Sequence, residues 1–385
     1  MASTSAEPTS GPLPDPGVHC LADVERAAAA VLPADVRDFV GGGSGAEVTL
    51  DANRAALDRV LLVPRVLRDV SRCVTETSLL GCPSRLPVAL APVAYQCLLH
   101  PEGELAAARA ARAAGVPFTV STLSSVPVER LVATGADVWF QLYWLREPGR
   151  ALDLVRRAED AGARAVVLTV DVPWMGRRLR DVRNRFALPD HVRAAHLAPG
   201  PTAAHRPLAV AASALAAHTE ASFSAALTWS SVAELRAVTR LPLVLKGVLA
   251  AEDAVRAAEC GVDAVVVSNH GGRQLDGAVP SAVALPEVVA ALAGRCEVLL
   301  DSGVRTGTDV LRALALGARG VLLGRPALWG LAMAGEEGVR RVLGLLALEF
   351  RDALGLAGCA DVPAAARLRT VLDGRAPRLA RTPSP

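Results

Sequence analysis

From about Leu86 onward one unit recurs eight times: a short apolar run ending in Gly, Ser, Asp or Asn, then a segment of helical period rich in Ala, Leu and Arg. The runs are "LPVALAPVA", "VPFTVST", "DVWFQLY", "AVVLTVD", "LPLVLKG", "DAVVVSN", "CEVLLDS" and "GVLLGR". Between them stand segments such as "PEGELAAARAARAAG" and "GTDVLRALALGA". A strand that is apolar at every position is buried on both faces, which is the condition of a parallel sheet covered by helices. Eight units spaced roughly 30 residues apart predict an α/β fold of the (β/α)8 barrel type rather than a doubly wound sheet. The segments "LADVERAAAAVL" and "ADVRDFVGGG" predict short helices capping the bottom or side of the barrel.

Residues 19–372 form one barrel domain, with a disordered leader over 1–18 and a disordered tail over 373–385. The leader "MASTSAEPTSGPLPDPG" is polar and Pro-rich and has neither the basic nor the apolar region of a signal peptide. The rhythm breaks after the fourth run, and about 187–228 is expected to be a lid without regular structure. Its four histidines (His191, His196, His205, His218) match no metal-ligand spacing and read as solvated; no metal is expected. A net charge of +2 gives no reason to expect a nucleic-acid partner. Seven cysteines without a CxxC read as reduced thiols of a cytoplasmic protein.

Barrel enzymes carry their chemistry at the C-terminal ends of the strands. Those ends offer Val93, Ala94 and Tyr95; Ser121; Gln141 and Tyr143; Thr169 and Asp171; Lys246; Ser268, His270 and Arg273; Asp301, Ser302, Gly303 and Arg305; and Gly324 with Arg325. A polar residue at one strand end is as readily structural as functional, but the whole set is not. Both tyrosines of the chain fall in it, and so does its one lysine. Lysine is a compact point charge, arginine a planar fork. One Lys kept at the end of "LPLVLK", where Arg serves everywhere else, points to chemistry. "DSGVRTGTDV" places glycines and Arg305 before a helix N-terminus, and "LLGRP" adds Gly324 and Arg325, together a phosphate site. His270 is positioned to take a proton with Asp171 to pair the imidazolium, Arg273 suits a carboxylate, and "PWMGRRLRD" supplies Arg177 and Arg178 at the mouth of the lid. The combination suggests an anionic substrate beside a phosphorylated cofactor.

"SNHGGRQLDG" resembles the signature of the FMN-dependent α-hydroxy acid oxidases and dehydrogenases. "HPEGE", "FQLY", "LTVDVP", "GRR", "LKGV", "LDSGVRTGTDVLRALALGA" and "GRP" accompany it at that family's spacings, from about Leu21 to Leu368. Within the family, "GGGSGAEVTLDANR", "APVAYQ", "WFQLYWLR" and "TVDVPWMGRRLRDVRN" most resemble the 4-hydroxymandelate oxidases of glycopeptide-antibiotic pathways. The resemblance implies FMN as cofactor and His270 as base, paired with Asp171. It implies that Tyr143 and Arg273 hold the substrate carboxylate and hydroxyl, with Arg178 nearby. Lys246 would sit at the flavin N1–C2 oxygen edge, where a point charge stabilises the anionic reduced ring. Val93, Ala94, Ser121, Gln141, Thr169 and Ser268 would line the isoalloxazine and ribityl chain, and Asp301, Ser302, Gly303, Arg305, Gly324 and Arg325 the ribityl and phosphate.

Two positions depart from the pattern. Phe39 stands where the family commonly has a tyrosine that touches the substrate carboxylate, and Ser302 where many members have glycine. Loss of the hydroxyl favours an aromatic over a short substrate, with Tyr95, Trp174 and Met175 adding surface at the mouth. The expected reaction is oxidation of an aryl (S)-2-hydroxy acid to the 2-keto acid, with O2 reduced to H2O2, by a homotetramer or larger homo-oligomer. The competing readings are a membrane-associated dehydrogenase reducing a quinone, for which "PLAVAASALAA" would be a weak anchor, and a flavin-binding scaffold without catalysis.

Overall fold

A computed structural model describes residues 17–197, 202–206 and 213–372. Nearly all of the expected leader and the whole tail lie outside the described residues. Val18, assigned to the leader, is buried in the core, and Arg341 donates to its carbonyl. Three helices come first: α1 (Leu21–Val31), α2 (Ala34–Gly41) and α3 (Val48–Asp58). Eight strands follow: β1 (Val88–Leu90), β2 (Phe118–Val120), β3 (Val138–Leu142), β4 (Ala165–Thr169), β5 (Leu243–Val248), β6 (Ala264–Val267), β7 (Glu297–Leu300) and β8 (Gly320–Leu323). They close into one parallel barrel in chain order, with β8 paired to β1. The intervening helices are α4 (Gly103–Ala114), α5 (Val128–Val132), α6 (Pro148–Ala161), α7 (Leu179–Asn184), α8 (Ala214–Ser222), α9 (Trp229–Val238), α10 (Ala251–Glu259), α11 (Ser281–Leu292) and α12 (Gly307–Ala315). After β8 come α13 (Arg325–Ala357), broken at Ala334 and Gly335, and α14 (Val362–Ala365).

The continuous apolar runs are explained by two separate cores. Ala89, Trp139, Ala165, Val167, Val244, Ala264, Val266, Leu299 and Leu322 fill the barrel interior. Their chain neighbours Val88, Leu90, Val166, Leu168, Val265 and Leu300 face outward under the helices. Alternate side chains of a strand point to opposite faces, so each run must be apolar at every position to serve both. A hairpin of Thr77–Leu79 and Cys82–Ser84 closes the bottom, and Leu79 joins the interior core.

The N-terminal helices correct one expectation. They do not cap only the bottom or side: α2 and α3 reach the opposite, C-terminal face. Asp276, in the loop after β6, accepts from the Ala46 and Thr49 amides. Asn53 on α3 exchanges two side-chain hydrogen bonds with Asn269, at 2.8 and 2.7 Å. The 187–228 segment also holds more structure than expected. Ser213 caps α8, Leu188 donates to the Ala204 carbonyl, and Phe223 bridges Leu145. His196 is buried, accepting from the Val128 amide at 3.0 Å, and His218 is buried too. Neither is the solvated residue the sequence suggested.

Candidate active site

The inward parity of each strand, carried past its last apolar residue, builds the site. On β3 the inward series Trp139 continues to Gln141 and Tyr143. On β4 Ala165 and Val167 lead to Thr169 and Asp171, and on β5 Val244 leads to Lys246. On β6 Val266 leads to Ser268 and His270, and on β7 Leu299 leads to Asp301. Ser121, Gly324 and Val93 hold the same parity on β2, β8 and β1. Apolar side chains fill the barrel and polar ones of the same face end it. The structure therefore brings the sequence-predicted residues together. A cavity opens there, lined by Val93, Ala94, Tyr143, Lys246, His270, Arg273, Asp301 and Arg325 among others.

Two networks organise its floor. His270 has a φ of +60°, a left-handed conformation uncommon outside glycine. Its Nδ1 lies 3.0 Å from Asp171 Oδ1, and its amide donates to Ser268 Oγ at 3.0 Å. Burial holds the imidazole below its usual pKa; Asp171 opposes this, and Lys246 and Arg178 reinforce it. Gly247, with a φ of +110°, lets Asp171 lean across β5: a Cβ there would stand 2.6 Å from Asp171 Cβ and Cγ. The second network is buried. Lys246 Nζ pairs with Asp301 Oδ2 at 2.9 Å and donates to Ser268 Oγ at 3.1 Å. Burial disfavours the ammonium, but Asp301 and Asp171 more than offset it, so Lys246 stays charged. Ser302 Oγ donates to Asp301 Oδ1 at 2.8 Å and accepts from the Gly271 amide at 2.9 Å. The serine that departs from the family pattern is thereby absorbed into the network, although its φ is +75°. Gln141 donates to Thr169 Oγ1 at 3.0 Å and accepts from Ser121 Oγ at 3.2 Å.

Four arginines give the cavity its charge. Arg178, Arg273, Arg305 and Arg325 make no ion pair among the described residues. Arg273 donates to the Phe39 and Gly42 carbonyls at 2.8 and 2.7 Å. Arg325 donates to the Val40, Gly271 and Gly42 carbonyls. Arg178 Nε is buried with no hydrogen-bond partner among the described residues. Burial first, and then mutual repulsion, pushes Arg273 and Arg325 down. Cations aimed at one cavity, without ion-pair partners among the described residues, are a setting that anions relieve.

The anion sites divide into two poles. Arg305, Arg325, Gly303 and Gly324 form one, suited to a phosphate; Arg178 and Arg273, near His270 and Tyr143, form the other, suited to a carboxylate. The expected phosphate contact at the α12 N-terminus is corrected. Asp309 accepts from the Arg305 and Thr306 amides, Thr306 Oγ1 accepts from the Asp309 amide, and Glu349 accepts from the Gly307 amide, so those N–H groups are already satisfied. FMN fits this donor set: a cationic pole for the phosphate, the Asp301–Ser302 group for ribityl hydroxyls, and Lys246 with the Gln141 amide for the ring edge.

Beside the carboxylate pole the wall is apolar. Phe39 stacks on Phe186 with centroids 4.7 Å apart and lies 5.4 Å under the Arg273 guanidinium. Tyr143 stacks on Phe223 at 4.5 Å, and burial, then Asp171, pushes its hydroxyl up to about 12. Tyr95 and Met175 line the cavity, but Trp174 does not; it is 69% exposed. Sequence reasoning missed Gln274, whose side chain donates to the Asp171 and Trp174 carbonyls at 2.8 and 3.0 Å and accepts from the Gly176 amide. It missed Glu104 too, a fully buried carboxylate joining the Gln96 and Ser125 amides after β1 and β2.

Known proteins share this arrangement. The family model described as FMN-dependent dehydrogenase matches residues 28–370. The 4-hydroxymandelate oxidase of Amycolatopsis orientalis is 61% identical over 91% of this chain and 98% of its own. The L-lactate oxidase of a Nostoc species is 48% identical over 84% of this chain and 90% of its own. A crystal structure of mandelate oxidase with (S)-4-hydroxymandelic acid superposes with a TM-score of 0.90 at 60% identity, covering 92% of this chain and 99% of that one. On its sequence, its barrel and its cavity, the chain belongs to the FMN-dependent dehydrogenase family and takes FMN as its cofactor.

Proposed function

We propose that the protein oxidises aryl (S)-2-hydroxy acids, mandelate and 4-hydroxymandelate, to the corresponding 2-keto acids and passes the electrons to O2, giving H2O2. The observation that carries the substrate class is the apolar wall of Phe39, Tyr95, Met175, Leu215 and Phe223 beside two unpaired guanidiniums. The Amycolatopsis relative and the mandelate oxidase structures support the same reading.

In this reading each residue has a task. Arg273 and Arg178 bind the carboxylate, which fixes the α-carbon and removes the translational freedom of an encounter. Tyr143 donates to the same end of the substrate. An Nδ1–H held by Asp171 leaves His270 Nε2 unprotonated and able to take the substrate's proton. Asp171 then stabilises the imidazolium. FMN, when bound, supplies the two-electron acceptor. Lys246, kept charged by Asp301, places fixed positive charge where negative charge grows, without reorganisation at the moment of reaction. Gln141, Thr169 and Ser268 hold the ring's polar edge, and Arg305 and Arg325 anchor the phosphate away from the chemistry. The supply of all these groups favours turnover over a scaffold role.

The same proposal includes self-association and a reducing compartment. Leu67, Leu356 and Leu372 are exposed large apolar side chains suited to an interface, and all seven cysteines are free thiols. Among the described residues no helix is long and apolar enough to cross a membrane.

An aryl ring entering the apolar wall gains about 25 cal/mol per Å² of area removed from water. Lactate and glycolate leave that wall unfilled. We expect kcat/KM for (S)-mandelate to exceed that for L-lactate by about 100-fold or more, some 3 kcal/mol. Oxygen uptake with glycolate, lactate, mandelate and 4-hydroxymandelate reads this directly. Comparable efficiency across the four would remove the aryl assignment and leave the flavin chemistry standing.

A further inference from the structure

Helix α8 presents Leu215, His218 and Thr219 to the cavity, with Phe223 at its C-terminal end. Spacings of three and four put these residues on one helix face. Thr219 Oγ1 is engaged, 3.9 Å from Met175 Sδ. His218 is different. It is only 5% exposed, its Nδ1 lies 3.5 Å from Ser222 Oγ, and its Nε2 is buried without a hydrogen-bond partner among the described residues. A buried polar group left unpaired is costly, so an unpartnered nitrogen on a residue that lines a ligand cavity calls for a ligand atom. His218 and Tyr95 also line a small neighbouring cavity, which makes them the partition behind the aryl wall.

We infer that His218 is a specificity-determining residue: its Nε2 hydrogen-bonds a hydroxyl at the para position of the substrate ring. The inference rests on the aryl reading above and extends it. With the carboxylate held by Arg273 and Arg178, the ring extends from the α-carbon into the apolar wall. The para carbon is the ring atom farthest from that anchor, so its substituent meets the wall first. Burial, with His205 adding to it, holds His218 below the usual imidazole value, so the ring is neutral near pH 7. A neutral imidazole carries one donor and one acceptor, and a phenol hydroxyl can do either. Either tautomer therefore pairs with it, and Ser222 takes the complementary role at Nδ1. A hydrogen or fluorine at the para position leaves Nε2 unpaired.

The test is the ratio of kcat/KM for (S)-4-hydroxymandelate to that for (S)-mandelate, with (S)-4-fluoromandelate as a control of size. It is measured in the wild type, in His218→Leu and in His218→Phe. The wild type is expected to prefer the hydroxylated acid over both others. In the variants that preference falls about tenfold, carried by a rise in KM for 4-hydroxymandelate. Either variant that keeps its FMN and its yellow colour decides the matter, so a misfolded one does not spoil the test. An unchanged ratio in an FMN-loaded variant overturns the role of His218. A wild type that prefers the fluorinated acid as strongly as the hydroxylated one overturns it also. A wild type that oxidises none of the three aryl acids overturns instead the aryl reading beneath it.

Discussion

Replacing His270 by Ala lowers kcat/KM by about 10³–10⁴-fold while the protein remains yellow. A positioned general base contributes roughly 10²–10⁴ in rate, and His270 alone of the groups facing the cavity combines an unprotonated nitrogen with a carboxylate behind it. The phosphate pole is built by Arg305 and Arg325 on other loops, so FMN content should not follow activity. Burial has a second consequence. Because the folded imidazole sits below its usual value, the neutral base persists to lower pH. Wild-type kcat/KM is therefore flat through neutrality and falls only as pH drops below the ordinary histidine range. Stopped-flow flavin reduction by (S)-mandelate across pH, with FMN content measured alongside, checks both. A colourless His270→Ala protein would make the residue structural. A pH profile breaking above neutrality would contradict the burial argument.

Lys246→Met carries the second large effect. Methionine nearly matches the length of lysine and carries no charge. The rate of flavin reduction should fall by about 10²–10³-fold, the scale of removing one preorganised electrostatic contact. Affinity for sulfite, which needs positive charge at the same edge, should fall with it. Stability should suffer as well, because Asp301 stays buried after its partner is gone; breaking such a pair costs about 3–5 kcal/mol. Arg should substitute poorly, since its fork exceeds the space between Asp301 and Ser268. Sulfite titration followed by absorbance, and thermal melts of the two variants, read these separately. Normal sulfite affinity in Lys246→Met would mean that the single lysine serves packing alone.

Much of the site was legible because strand parity extends past the strand. Thr169, Lys246, Ser268 and Asp301 each stand two residues beyond an apolar inward residue, and Asp171 two beyond Thr169, so the sequence places them before any coordinates exist. The parity fails once the chain turns. After Asp171 nothing local decides whether Trp174 or Met175 faces inward: of the two expected at the mouth, Met175 lines the cavity and Trp174 is exposed. Gln274, Asn53 and Glu104 were invisible for a different reason. Their meaning lies in backbone and side-chain partners far along the chain, such as the Asn53–Asn269 pair. Two of the four lid histidines are buried against expectation, because an Ala- and Pro-rich segment has no period to reveal a buried face. His196 and His218 are buried by contacts with the barrel, not by their own segment's pattern. The phosphate pole was half legible: Arg305 and Arg325 fall where expected, but Thr306, Asp309 and Glu349 take the α12 amides that the sequence left free.

The central claim is that this barrel uses FMN to take two electrons from an aryl 2-hydroxy acid and give them to oxygen. The most direct measurement is to mix the yellow protein with (S)-mandelate under anaerobic conditions, follow the flavin absorbance, and then admit air. The account predicts rapid bleaching, formation of one benzoylformate per flavin, and return of the colour in air with one equivalent of H2O2. Failure to bleach would contradict substrate oxidation altogether. Bleaching that air does not reverse, but a quinone does, would contradict oxygen as the acceptor.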